Sequence, residues 1–110
     1  EYGSEVVAMA GVGNPNPFLE GLRKHYRVIE ELVYDDHHVY RRNDLQTMLD
    51  AAGEKGVIVT TEKDAVKLVN PDKIPAQLRA KLYYIPISIT FIGSSPADFL
   101  LNLEKDVRTN

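Results

Sequence analysis

Gly56-Val57-Ile58-Val59-Thr60-Thr61-Glu62-Lys63-Asp64-Ala65-Val66 is the stretch on which the fold turns. Its first five residues are short, uncharged and rich in β-branched side chains, the pattern of a strand covered on both faces. Thr61 follows at once in an N-cap position with Asp64 three residues on, a spacing that resembles a capping box. Ala65, Val66, Leu68 and Val69 then supply the apolar positions of a helix. A buried strand that runs straight into a helix is the unit of a parallel α/β sheet, because parallel neighbours need a crossover.

The same unit repeats on either side. Glu5–Ala10 reads as a buried strand closed by Gly11-Val12-Gly13-Asn14-Pro15, and Pro15 and Pro17 sit where a helix starts, with Phe18, Leu19 and Leu22 on one face. Residues 27–34 alternate imperfectly, with Val28, Leu32 and Tyr34 as the inward positions of a second strand that ends at Asp35-Asp36-His37-His38. Asn43 or Asp44 caps the next helix, whose Leu45, Met48, Leu49 and Ala52 fall at three- and four-residue spacing before Gly53 and Gly56. Downstream come a turn at Asn70-Pro71-Asp72, a short helix over 75–81, and a strand over 82–91. A final helix follows Gly93-Ser94-Ser95-Pro96 and uses Phe99, Leu100, Leu103 and Val107. The order predicts a three-layer α/β/α Rossmann-like domain over residues 1–110, with a mainly parallel sheet of about four strands. Strand order and the direction of the last strand are left open.

Composition narrows the function classes. A chain of 110 residues with 44% hydrophobic content is one domain with a core of its own. There is no cysteine, which removes thiolate metal sites and cysteine nucleophiles. The net charge is −3 with basic and acidic residues interspersed, so no basic face tracks a nucleic acid. Apolar runs are far below the ~20 residues of a membrane span. The first residues, lacking Met and moving directly into a strand, read as a boundary inside a longer protein.

In a parallel sheet the segments after each strand share one edge, where open α/β sheets place their ligands. That edge would gather Gly11 to Asn14, Asp35 to His38 and Thr60 to Asp64. The charges at Arg23, Lys24, Lys55 and Lys81 fall on the opposite rim as ordinary solvated loops. Of the two His, either can serve as a base oriented by a neighbouring carboxylate; the same four residues also suit a strand-end turn with exposed imidazoles. Metal binding by Asp and His lacks a further spaced cluster to complete a coordination sphere, and His25 reads as a solvated helix end. Glu62, Lys63 and Asp64 either offer positive potential to an anion or simply cap a helix, with Lys63 pairing locally. The glycines at 11 and 13 do not make a nucleotide loop: Asn16 stands where a dinucleotide fingerprint needs its third Gly, and no phosphate-cradling Gly-Lys-Ser/Thr pattern occurs.

Taken in order, Ala10-Gly11-Val12-Gly13-Asn14-Pro15 with Phe18, then Asp36-His37-His38 with Tyr40, then Thr61-Glu62-Lys63-Asp64-Ala65-Val66-Lys67, then Leu82-Tyr83-Tyr84-Ile85-Pro86-Ile87 resembles the C-terminal part of the tetraacyldisaccharide 4′-kinase family. The resemblance implies a two-domain lipid A biosynthesis enzyme of a Gram-negative bacterium. Its N-terminal P-loop domain, absent here, would hold ATP and Mg²⁺, with no cofactor or metal on this chain. The parent would phosphorylate the 4′-hydroxyl of a lipid A disaccharide precursor at the cytoplasmic face of the inner membrane, touching the membrane through the missing domain. By the same resemblance His37 is the catalytic candidate, pairing with an Asp of the N-terminal domain, and Asp36 supports it. Asn14, His38, Glu62, Lys63 and Asp64 are expected to line the substrate or the domain interface. Without the phosphate loop, these 110 residues are expected to be inactive alone. Two rivals are a metal-dependent phosphoesterase-like domain, suggested by Asp36-His37-His38 alone, and a non-catalytic Rossmann-like binding module.

Overall fold

A computed structural model describes residues 5–68, 74–86 and 101–102. The elements follow the predicted alternation: β1 (Glu5–Ala10), α1 (Asn16–His25), β2 (Arg27–Val33), α2 (Arg42–Ala52), β3 (Val57–Thr61), α3 (Glu62–Leu68), α4 (Ala76–Lys81), β4 (Leu82–Ile85) and β5 (Leu101–Asn102). The strands lie in the order β2-β1-β3-β4-β5. The first four pair in parallel, and β5 adds a short antiparallel edge against Tyr83 and Tyr84. Where a final helix is expected, Leu101 and Asn102 are therefore strand; a short apolar run carries no periodicity that separates the two, and β4 offers an open edge. The expected turn at 70–72, residues 87–91 of the expected last strand and the remainder of that final helix lie outside the described residues.

Two cores sandwich the sheet. Val6, Ala8, Val59 and Ile85 face α1 through Leu19 and Leu22. Val7, Met9, Ile58, Leu82 and Tyr84 face Leu45 and Met48 of α2, Ala65 and Leu68 of α3, and Leu78 of α4. Met48, Ile58, Leu78 and Leu82 are wholly buried, each contributing about 1.5–3 kcal/mol by leaving water.

The imperfect alternation of β2 has a geometric cause. Val6 pairs with Val28 but Val7 pairs with Glu30, so Ile29 is an extra residue in the ladder. One inserted residue moves every later side chain to the other face. Val28 accordingly packs on the α1 side, while Leu32 and Tyr34 pack on the α2 side.

Helix ends are built by a few local contacts. Pro15 stands at the N-cap of α1 with Pro17 in its first turn, and Arg23, Lys24 and His25 close its last turn, where cations suit the helix dipole. In α2 the acceptor at the start is Asp44, which takes the Arg41 backbone N–H at 2.9 Å from inside the first turn. Gly53 ends the helix at φ +68°, a left-handed value that disfavours any side chain. Arg23 and Lys81 are engaged rather than merely solvated. Arg23 forks onto Glu31 at 2.6 and 2.7 Å, and Lys81 Nζ donates to the carbonyls of Glu54 and Gly56.

Candidate functional site

The three polar segments meet at one rim, as a parallel sheet requires. Asp35 to His38 folds into a hydrogen-bonded turn, His38 N–H donating to the Asp35 carbonyl at 3.0 Å, with Asp36 and His37 at its centre. The turn gathers its side chains instead of splaying them, so Asp36, His37 and His38 all line one cleft of about 480 Å³. Val39, Tyr40, Leu45, Leu68 and Ile74 form its apolar side, and Lys63 and Lys67 complete the polar side.

Helix α3 holds this turn from below. Lys67 Nζ donates to the Asp36 carbonyl at 2.9 Å, and Lys63 Nζ reaches Asp36 Oδ1 at 3.3 Å. Lys63 thus pairs across the rim rather than with Glu62 or Asp64. Its hydrogen bond and charge hold the Asp36 carboxyl below the usual carboxylate range.

The two adjacent imidazoles have different surroundings. His38 stacks on Tyr34 with ring centroids 4.5 Å apart and meets Tyr40 edge-on at 4.9 Å. Its Nε2 lies 2.9 Å from Asp44 Oδ2. Burial pushes the Asp44 carboxyl up, but its hydrogen bonds from the Arg41 amide and His38 outweigh that and keep it below its usual range. His37, by contrast, is exposed, and its ring makes no hydrogen bond among the described residues. Both line the cleft, but one ring is caged and the other is exposed.

Beneath the cleft lies Asp64, wholly buried. Its Oδ2 accepts from the Gly11 N–H at 2.9 Å and from the Thr61 hydroxyl at 2.7 Å; its Oδ1 accepts from the Tyr40 hydroxyl at 2.9 Å. Thr61 Oγ1 in turn accepts the Asp64 amide at 3.1 Å, as the capping spacing predicts. Burial and the adjacent Asp64 charge push the Tyr40 phenol far above its ordinary value. Gly11 is needed for close approach: a Cβ there would stand 2.5 Å from the Tyr40 hydroxyl and 3.0 Å from Asp64 Oδ1.

Of the residues singled out from sequence, Asp36, His37, His38 and Lys63 share the cleft. Asn14 is exposed on the β1 loop and Glu62 is half-buried at the start of α3, both outside the lining; Asp64 supports the cleft without lining it. Sequence reasoning missed Tyr40, Asp44 and Lys67 as site residues. The Lys63–Lys67 spacing of one helical turn was a signal for the last of these. Among the described residues no three His, Asp or Glu side chains converge to hold a metal ion. The Gly11 amide is taken by the buried Asp64 carboxylate and so is not offered to an anion.

Comparison with known proteins adds the family. The family model described as tetraacyldisaccharide-1-P 4′-kinase matches residues 2–107. Curated proteins named tetraacyldisaccharide 4′-kinase are similar: one from Bacteroides thetaiotaomicron is 31% identical over 97% of this chain, and one from Halothermothrix orenii is 38% identical over 84%. Another, from Methylorubrum extorquens, is 38% identical over 84%. The chain spans only 29%, 25% and 27% of the length of these three relatives. No solved structure matches the chain.

Proposed function

Since the chain belongs to the tetraacyldisaccharide-1-P 4′-kinase family, we propose that it is the C-terminal α/β domain of a kinase that phosphorylates the 4′-hydroxyl of a tetraacyldisaccharide 1-phosphate, with His37 as the group that accepts the hydroxyl proton. One observation carries the assignment of His37: of two neighbouring imidazoles that line the cleft, His38 is engaged by Tyr34, Tyr40 and Asp44, while His37 is exposed with no hydrogen bond to its ring among the described residues.

A base must reach its proton directly or through one water, and an exposed ring on a short pinned turn can do so. Asp36, bonded to Lys63 and Lys67 of α3, fixes the turn on which His37 sits. The apolar side of the cleft, from Val39 to Ile74, flanks that exchange.

We assign ATP and Mg²⁺ to the rest of the parent, an N-terminal P-loop domain, because no phosphate-cradling Gly-Lys-Ser/Thr pattern occurs in this sequence. We place the parent at the cytoplasmic face of the inner membrane, where a substrate with four acyl chains resides. We place its contact with the bilayer in that other domain as well. Phosphoryl transfer depends on positioning and charge neutralisation around the phosphates, so the 110-residue chain given ATP, Mg²⁺ and the disaccharide forms no product.

The direct test is His37→Ala in the full-length enzyme. Turnover falls by about 10²–10⁴-fold, the usual contribution of a general base, with the melting temperature unchanged. A variant that turns over at the wild-type rate removes His37 from the reaction.

A further inference from the structure

Asp64 is an unusual residue to bury. A carboxylate taken out of water is costly unless every acceptor position finds a donor, and its closest cation, Lys67 Nζ, stands 3.9 Å from Oδ1. Three uncharged donors satisfy it instead, and they come from three places in the chain: Gly11 at the end of β1, Tyr40 beyond the turn after β2, and Thr61 at the end of β3. The carboxylate therefore joins the carboxyl ends of three parallel strands at one point.

Its helix also holds the His-bearing turn at both ends. Residue 36 is tied to α3 through Lys67 and Lys63, and residue 40 is tied to it through Asp64. Only His37, His38 and Val39 lie between these anchors. Tyr40 packs edge-on against His38 and against Tyr34 at 5.3 Å, so a displaced phenol would release the cage that separates the two imidazoles. The tight fit at Gly11 leaves no slack on the remaining side.

We infer that Asp64 is a positioning residue: seated beneath the cleft, it ties the ends of β1 and β3 to Tyr40 and so sets the place from which His37 is presented. The inference rests on the reading of His37 as the reacting group. It concerns a residue that touches neither the cleft nor any reacting atom.

The experiment uses the full-length enzyme with Tyr40→Phe, Thr61→Val, Thr61→Ser and Asp64→Asn, measuring kcat, KM and the imidazole NMR signals. Tyr40→Phe and Thr61→Val each remove one donor to the carboxylate. They lower kcat by about 10- to 100-fold, the effect of a small misplacement of a reacting group, and leave KM within about two-fold because substrate contacts persist. Thr61→Ser restores the donor and the rate. In Tyr40→Phe the His38 signals, which feel the Tyr34 and Tyr40 rings, move. Wild-type kcat in Tyr40→Phe overturns the inference, as does a Thr61→Ser enzyme as impaired as Thr61→Val. If Asp64→Asn does not fold, the other three variants decide alone. His37→Ala separates this inference from the reading beneath it. Should that variant keep wild-type turnover, the base assignment fails, and the NMR signals then decide the positional role: His37 and His38 signals unmoved in Tyr40→Phe overturn it.

Discussion

The two ends of the parallel sheet are stabilised by different means. At the carboxyl end, polar side chains bind segments far apart in sequence: Asp64 to Gly11 and Tyr40, and Lys63 and Lys67 to Asp36. Its central group is buried, so each missing partner leaves an unsatisfied polar atom away from water. At the amino end, Gly53 turns the chain through a left-handed conformation, and Lys81 reaches two backbone carbonyls from the surface. The ion pair between Arg23 and Glu31 is partly exposed to solvent. The end held by a buried polar group is the one that carries the cleft. A site needs groups held in place, and burial supplies that stiffness where surface pairs do not.

Substitutions can break this contrast. Gly11→Ala at the carboxyl end has the largest expected effect. Its methyl must displace the Tyr40 hydroxyl or Asp64, and overpacking plus a disturbed buried network costs about 3 kcal/mol in chemical denaturation. Gly53→Ala at the amino end costs about 1–2 kcal/mol, because only the local backbone is strained and nothing stands within 4 Å of the new methyl. If Gly53→Ala proves the costlier of the two, the contrast is wrong.

Asp44→Asn comes next, at about 1 kcal/mol near neutral pH, the scale of a helix-start acceptor. Asp44 has a folded-state pKa below its unfolded value. Its contribution is therefore complete above the unfolded carboxylate value of about 4 and is lost as pH falls through the folded one. Melting temperatures measured from pH 6 downward should show a shallower acid decline in the variant than in the wild type. A parallel decline would remove Asp44 from the acid response. Last, Glu31→Gln leaves the denaturation midpoint close to the wild-type value, since a partly exposed ion pair is worth only about 0–1 kcal/mol; a clear drop would mean that such pairs contribute more here than the contrast allows.

Much of the architecture was legible in the order of residues. The β-branched run at 57–59, the prolines at 15 and 17 and the glycine at 53 act through local sterics, and each appears where its chemistry places it. The convergence of three loops on one rim followed from parallel connection alone. The bulge at Ile29 was visible only as a broken alternation, and the strand at Leu101 and Asn102 was hidden by a helical spacing. At the site, the sequence offered two equivalent His residues side by side. It also offered an Asp64 whose cap spacing accounted for Thr61 but not for Gly11 or Tyr40.

By itself, then, the sequence determined the alternation of strand and helix, the shared edge of the polar segments and the family, because these depend on periodicity, near-neighbour sterics and residue order. Only the tertiary structure decided which imidazole is caged, what Lys63 holds and why Asp64 is buried. What Lys63 holds and what Asp64 ties together depend on partners between 24 and 53 residues away in the chain; the cage of His38 uses Tyr34, Tyr40 and Asp44, close in sequence, but they meet across a turn whose shape no local pattern specifies. A hydrogen bond between remote segments exists once the sheet has set their register, and nothing in either segment alone records it.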